Sequence, residues 1–309
     1  MEFFERVGDL ELRHAKIAAF GSTCRAGSRP EDDLNIQALL EAETPVCTVV
    51  GKSWTLHVTE VLQTTYEENL RIIRDSVKYL QENGREIVYD AEHFYDGYKA
   101  DAEYTLKTLQ AAVDGGAETL VLCDTNGGTL PCELGKITAE VQAHFPEMKL
   151  GVHCHNDAEC AAANSITAVE NGVVHVQGTI NGYGERTGNA NLCSIIPALE
   201  IKMGYECLSK NKLAELSDLS HFVAEIANMA PDDHQPYVGR SAFAHKGGIH
   251  VAAMRREATS YQHIEPELVG NQMRTVVSEL SGRGNLISKA EEHNLGLTDK
   301  EALGEILTN

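Results

Sequence analysis

Apolar residues recur along the chain with two periods. Short β-rich runs at 16–20 (KIAAF), 46–51 (VCTVVG), 85–92 (REIVYDAE), 119–125 (TLVLCDT), 149–157 (KLGVHCHND) and 174–182 (VHVQGTING) read as strands. Longer stretches between them carry apolar residues at helical spacing. In residues 65–84, Leu70, Ile73, Val77 and Leu80 share one face and Gly84 ends the helix. Residues 101–118 and 159–172 read the same way. A strand, a helix and another strand about every 30 residues predict parallel strands joined by right-handed crossovers.

Most of these strands end in chemically capable residues: GST, GKSW, DAEHF, DTNGG, HCHND and NGYGER. Function gathered at successive strand ends favours a TIM (β/α)8-type barrel over a doubly wound sheet. No GxGxxG or Walker loop follows a strand, so nucleotide-binding readings lack support. A barrel needs eight strands, and six are legible before the pattern changes near residue 205. The opening MEFFERVGDLELRH reads as the end of a helix. The expectation is a partial barrel over 1–205 and a helical subdomain over 206–309, with a conspicuous loop at 240–250.

Composition narrows the partners. The 309 residues are 42% hydrophobic, enough for a substantial core. A formal charge of −20 argues against nucleic acid or an anionic membrane. It leaves an anionic small substrate open, because a local cation or helix N-terminus can reverse the field within a site. Eight cysteines without a CxxC pair read as reduced thiols, and no secretory signal or apolar run of about 18 residues is present. A soluble, cytoplasmic protein is expected.

Several residues could carry chemistry. His153 and His155 alternate on a strand, so both side chains point the same way, as metal-binding imidazoles would. Hydrogen bonding to neighbouring loops is the plainer reading. Asp90 and Glu92 share a face in the same manner, for acid–base work or for an internal ion pair. Asp124 and Thr125 open the DTNGG turn, which reads equally as a helix cap. Asn189 is either a further ligand or a cap. His57 either lines the mouth or packs at the surface. The Gly-rich stretch 181–192, with Asn181, Gly182, Gly184 and Glu185, follows the last strand, where barrels commonly bind anions. A loop shaped only for packing is its alternative. Glu185 and Arg186 are expected to pair at the rim.

Together GVHCHND, DTNGG, NGYGERTGNANL and FAHKGGIH resemble the acyl-CoA-dependent 2-oxoacid aldol enzymes. That family contains isopropylmalate, homocitrate and citramalate synthases, with 3-hydroxy-3-methylglutaryl-CoA lyase as a distant relative. FGSTCRAG, GKSWTLHVTE and YDAEHFYDGYKAD look most like the citramalate synthase branch. The resemblance covers the whole chain. It implies condensation of acetyl-CoA with pyruvate to (R)-citramalate and CoA, on the way to isoleucine, by a homodimer holding Mn²⁺, Mg²⁺ or Zn²⁺. It makes His153, His155 and Asn189 the metal residues, and Glu92 a group near the metal-bound substrate and water. Thr125 would bind the 2-oxoacid carboxylate, with Asp124 supporting its loop, and the Gly-rich stretch would contact acetyl-CoA. His250 and Tyr261 would form a proton relay reaching a partner subunit's site.

One departure matters. The family opens on a strand bearing Arg-Asp-Gly, whose aspartate is a metal ligand, and no such segment is seen here. The expectation is a barrel lacking its first two strands, and equally lacking a C-terminal regulatory domain. The alternatives are an isopropylmalate or homocitrate synthase, or a catalytically inactive fragment or interaction partner.

Overall fold

The computed structural model describes residues 2–245, 250, 253, 254, 256–276, 286, 287, 289, 290, 293 and 295. Two compact units, Met1–Asn191 and Leu192–Asn309, divide the chain.

The first unit opens with helix α1 (Glu2–Gly8) and contains six strands: β1 (Ala18–Ser22), β2 (Val46–Lys52), β3 (Glu86–Glu92), β4 (Thr119–Asp124), β5 (Lys149–Cys154) and β6 (His175–Gln177). All pair in parallel and in chain order. The crossovers carry α2 (Leu34–Glu41), α3 (Tyr66–Glu82), α4 (Phe94–Ala100), α5 (Ala102–Gly115), α6 (Pro131–His144) and α7 (Ala161–Glu170). A doubly wound sheet reverses its order at a switch point. This one never does, so right-handed crossovers place every helix on the same side.

That arrangement leaves the opposite face to curl inward. Alternation along β1 shows the two sides: Ala19 and Gly21 are buried under α2, whereas Phe20 is 67% exposed. The inward row of β2 is Val46, Thr48, Val50 and Lys52, and Val46 meets Val88, Val121 and Cys123 at the floor of the arc. Curvature is measurable. Strands β3 and β6 would lie about 14 Å apart in a flat sheet, yet Gln177 donates from Nε2 to Asp90 Oδ1 at 2.8 Å. The six strands are an arc of a barrel, as the repeat predicted.

Helix α3 shows how sequence sets the other layer. Thr65 caps it by accepting from the Glu68 N–H, and Glu68 lies three residues on, the spacing of a capping box. Its buried row is Asn69, Ile72, Ile73, Ser76, Val77 and Leu80, with Leu70 only half-buried, so the inner face is turned slightly from the apolar stripe alone. Each fully buried aliphatic there contributes about 1.5–3 kcal/mol. Asn69 is buried because its amide donates to Lys52 O and to Tyr104 Oη, which ties α3 to the end of β2.

Strand limits differ from expectation by more than one residue in three places. β1 lies two residues later than 16–20. β5 stops at Cys154, because the Asn156 N–H turns away to Gly188 O. β6 stops at Gln177, and Thr179 pairs instead with the returning loop at Ala190 O.

Among its described residues the second unit contains α8 (Leu192–Pro197), α9 (Leu216–Ile226), several single turns and a short parallel pair, β7 (Ala244–His245) with β8 (Arg274–Thr275). It is mainly helical, as expected. In the 240–250 loop, residues 246–249 lie outside the described residues, as does most of the closing stretch from 277. No described helix is long and apolar enough to cross a membrane.

Candidate active site

The inward rows converge at the carboxyl ends of the strands. A cavity of about 310 Å³ there is lined by Phe20, Val50, Asp90, Glu92, Cys123, Thr125, His153, His155, Glu185 and Asn189. A larger cavity of about 530 Å³ in the second unit is lined by Ile196, Leu208, Leu216, Leu219 and Phe222 together with Lys212, Glu215 and Asp218. Convergent polar groups, rather than size, mark the first cavity as the site.

His153 and His155 face one another there. Their Nε2 atoms are 3.3 Å apart, and Asn189 Nδ2 lies 3.1 Å from His153 Nε2. His153 Nδ1 is 2.7 Å from Gln177 Oε1. Burial lowers the His153 pKa, partly opposed by Gln177. Burial also lowers that of His155, followed by the neighbouring His153 and Arg186. Both rings are therefore held neutral, the ligating form. Two nitrogens bound to one ion at about 2.0–2.1 Å in a tetrahedral shell stand about 3.3–3.4 Å apart, so the observed spacing fits a shared cation. The donor set fits part of a shell, two imidazoles and an amide. No group of three or more His, Cys, Asp or Glu suited to a metal ion occurs among the described residues.

The Gly-rich loop delivers Asn189. Its backbone folds on itself, with Asn189 N–H donating to Gly182 O and Ala190 N–H to Cys154 O. A Cβ on Gly184 would stand 1.7 Å from Asn189 Oδ1, and one on Gly188, at φ +100, would stand 2.1 Å from Gly182 O. Only glycine permits these approaches. Asn181 sits in the left-handed region at φ 64 within the same turn. Arg186, expected to pair with Glu185, is instead gripped by Asp157 at 2.7 and 2.8 Å and donates to Thr125 O. The contact with Asp157 is the two-point geometry of a guanidinium on a carboxylate. Glu185 remains exposed on the cavity lining.

Glu92 ends β3 and pairs with Lys52, its register partner on β2. The strand-end motifs do not single out Lys52, but period-two alternation from Val46 reaches it. The same count along His175–Gln177 reaches Gln177. Thr125 Oγ1 accepts the His93 N–H at 2.8 Å. Asp124 accepts from Thr129 Oγ1 and N–H, closing the turn beneath it. His57 is not in the cavity lining. It stacks on Trp54 and lies 4.2 Å from the His93 ring, and burial lowers its pKa first, then His93 and Lys52. In the second unit, His250 and Tyr261 stack with ring centres 4.2 Å apart.

Sequence comparison places this geometry among known proteins. Residues 12–223 match the HMGL-like family and residues 237–308 the homocitrate synthase post-HMGL domain-like family. The chain is 56% identical over 308 residues to an (R)-citramalate synthase of Geobacter sulfurreducens, covering 99% of this chain and 58% of that protein. It is 51% identical to the Aquifex aeolicus (R)-citramalate synthase, covering 96% and 56%. A 2-isopropylmalate synthase of Oceanobacillus iheyensis is 34% identical, covering 87% and 53%. The chain thus spans a little over half the length of these relatives. Among solved structures, the HMG-CoA lyase of Bacillus subtilis superposes with TM-score 0.61 at 19% identity, covering 74% of this chain and 76% of that one.

Proposed function

The chain belongs to the HMGL-like family, and from that premise we propose that it serves an enzyme condensing acetyl-CoA with pyruvate to give (R)-citramalate and CoA. The observation that carries this reading is the 45–56% identity to five (R)-citramalate synthases across nearly the whole chain, against 34% for two isopropylmalate synthases and 31% for a more distant citramalate synthase. The cavity is of a size to admit a small 2-oxoacid.

In this reading His153, His155 and Asn189 hold a divalent cation, Mn²⁺, Mg²⁺ or Zn²⁺, which when bound supplies Lewis-acid polarisation of a keto oxygen. Thr125 Oγ1 already accepts the His93 N–H, so its own O–H is free to donate to the 2-oxoacid carboxylate. Asp124 keeps the turn that presents it. Glu92, held at the rim by Lys52, orients water and assists proton transfer. Asn181, Gly182, Gly184 and Glu185 contact acetyl-CoA. His250, stacked on Tyr261, serves the relay that takes a proton from the acetyl methyl group, within a homodimer. The resulting enolate carbon bonds the keto carbon, the keto oxygen takes a proton, and water cleaves the thioester to release CoA. His57 shapes the mouth through Trp54 and His93. The eight free cysteines agree with a cytoplasmic setting.

CoA release from acetyl-CoA tests the reading, with pyruvate, 2-oxoisovalerate or 2-oxoglutarate, with and without Mn²⁺ or Mg²⁺. It should be run on this chain and on a longer version of it. Selective turnover of pyruvate is expected from the active form. Preference for another 2-oxoacid would move the assignment to that synthase, and silence from both would favour a non-catalytic role.

A further inference from the structure

Asp90, Gln177 and His153 form a hydrogen-bonded chain across the concave face that the mechanism above does not use. Gln177 donates from Nε2 to Asp90 Oδ1 at 2.8 Å and turns Oε1 to His153 Nδ1 at 2.7 Å. Asp90 is 4% exposed, so no bulk water competes for its oxygen. With the amide oriented in this way, the direction of both bonds follows from the groups themselves. An amide nitrogen only donates and an amide oxygen only accepts. With Nε2 committed to the carboxyl group, Oε1 faces the ring, and only an N–H can sit opposite it. His153 then carries its proton on Nδ1, and Nε2 is left with a lone pair. That Nε2 is the atom 3.3 Å from His155 Nε2 and 3.1 Å from the Asn189 amide. Reversing the amide would require Asp90 to donate an O–H to Oε1 and would set the amide N–H against an Nδ1 lone pair, leaving the ring proton on His153 Nε2, an arrangement that the ring spectra below distinguish.

We propose that Asp90 and Gln177 are positioning residues that lock His153 in the Nδ1–H tautomer and aim a bare Nε2 at the cation position. The inference rests on the ligand reading of His153 given above. Outer groups of this kind orient metal-bound histidines, and their loss typically weakens binding about 10–100-fold. Here the outer group is itself oriented by a second side chain from three strands away, so β3 and β6 jointly set the donor that β5 presents.

The test pairs ring ¹⁵N spectra of the metal-free chain with calorimetric titration of Mn²⁺. The wild-type His153 ring should show a single tautomer protonated at Nδ1. Gln177→Met, which removes the acceptor while keeping the bulk, should give a tautomer mixture and about 10–100-fold weaker Mn²⁺ binding. Gln177→Glu keeps an acceptor at Nδ1 and, with the Asp90 carboxyl donating its O–H to the second carboxylate oxygen, should restore the tautomer. A wild-type ring protonated at Nε2 would overturn the proposal without recourse to any variant. So would a Gln177→Met chain unchanged in both readouts, or a wild-type chain with the expected tautomer that binds no Mn²⁺. The expected tautomer and Mn²⁺ affinity, with neither this chain nor its longer version turning over pyruvate, would sink the citramalate reading and support the positioning role.

Discussion

Replacing Asp90 with asparagine should make the protein's stability less dependent on pH, by an amount that can be worked from its burial. Asp90 sits on the inward face of β3, and desolvation raises its carboxyl from 3.8 to about 7, with the Gln177 N–H opposing only part of the shift. Between those values the folded chain holds a proton that the unfolded chain has released. The stability contribution is therefore complete below about 3.8 and is lost as pH rises through about 7. At 1.36 kcal/mol per pH unit the full interval corresponds to about 4 kcal/mol, of which about 2–3 kcal/mol falls between pH about 5 and about 8. The asparagine amide would not titrate, and its carbonyl can accept the same Gln177 N–H. Urea unfolding followed by circular dichroism, with a chelator present, gives the free energy of each protein across that range. The buried histidines titrate in both proteins and cancel in the difference. Asp90→Asn minus wild type should climb by about 2–3 kcal/mol from pH about 5 to about 8, whatever its constant offset. A difference flat to within about 0.5 kcal/mol would mean that Asp90 is ionised in the fold, and the desolvation argument would fail.

Three further outcomes are expected. Ile73→Ala empties a fully buried position on α3 and should cost about 2–5 kcal/mol in the same unfolding assay. Gly184→Ala drives a methyl group into the Asn189 amide, so Mn²⁺ titration should show weakened binding, with far-UV circular dichroism retained. Glu92→Gln keeps the side chain's shape but loses its charge, and CoA release by the active form should fall about 10²–10⁴-fold.

The order of elements was legible in the sequence because each follows a local rule. Parallel pairing came from the strand–helix alternation, and the common direction of His153 and His155 from the two-residue period of a strand. The helical spacing of Leu70, Ile73, Val77 and Leu80 marked α3. What failed was decided by contacts distant along the chain. β6 ends at Gln177 because residues 179–182 pair with residues 188–191, an exchange that no window around 174–182 contains. Arg186 was assigned to its neighbour Glu185, but folding brought it to Asp157, 29 residues away.

The sequence alone therefore determined which side chains are available and, through periodicity, which face of each strand bears them. Only the tertiary structure decided which of them meet. Asp90 and Gln177 are 87 residues apart, and nothing local to either position encodes their hydrogen bond. It exists because successive crossovers of one hand curl the sheet until β3 and β6 face each other across the arc. The same curvature buries Asp90 and turns His153 Nε2 toward its neighbours, since desolvation and hydrogen-bond direction are properties of surroundings rather than of residue type.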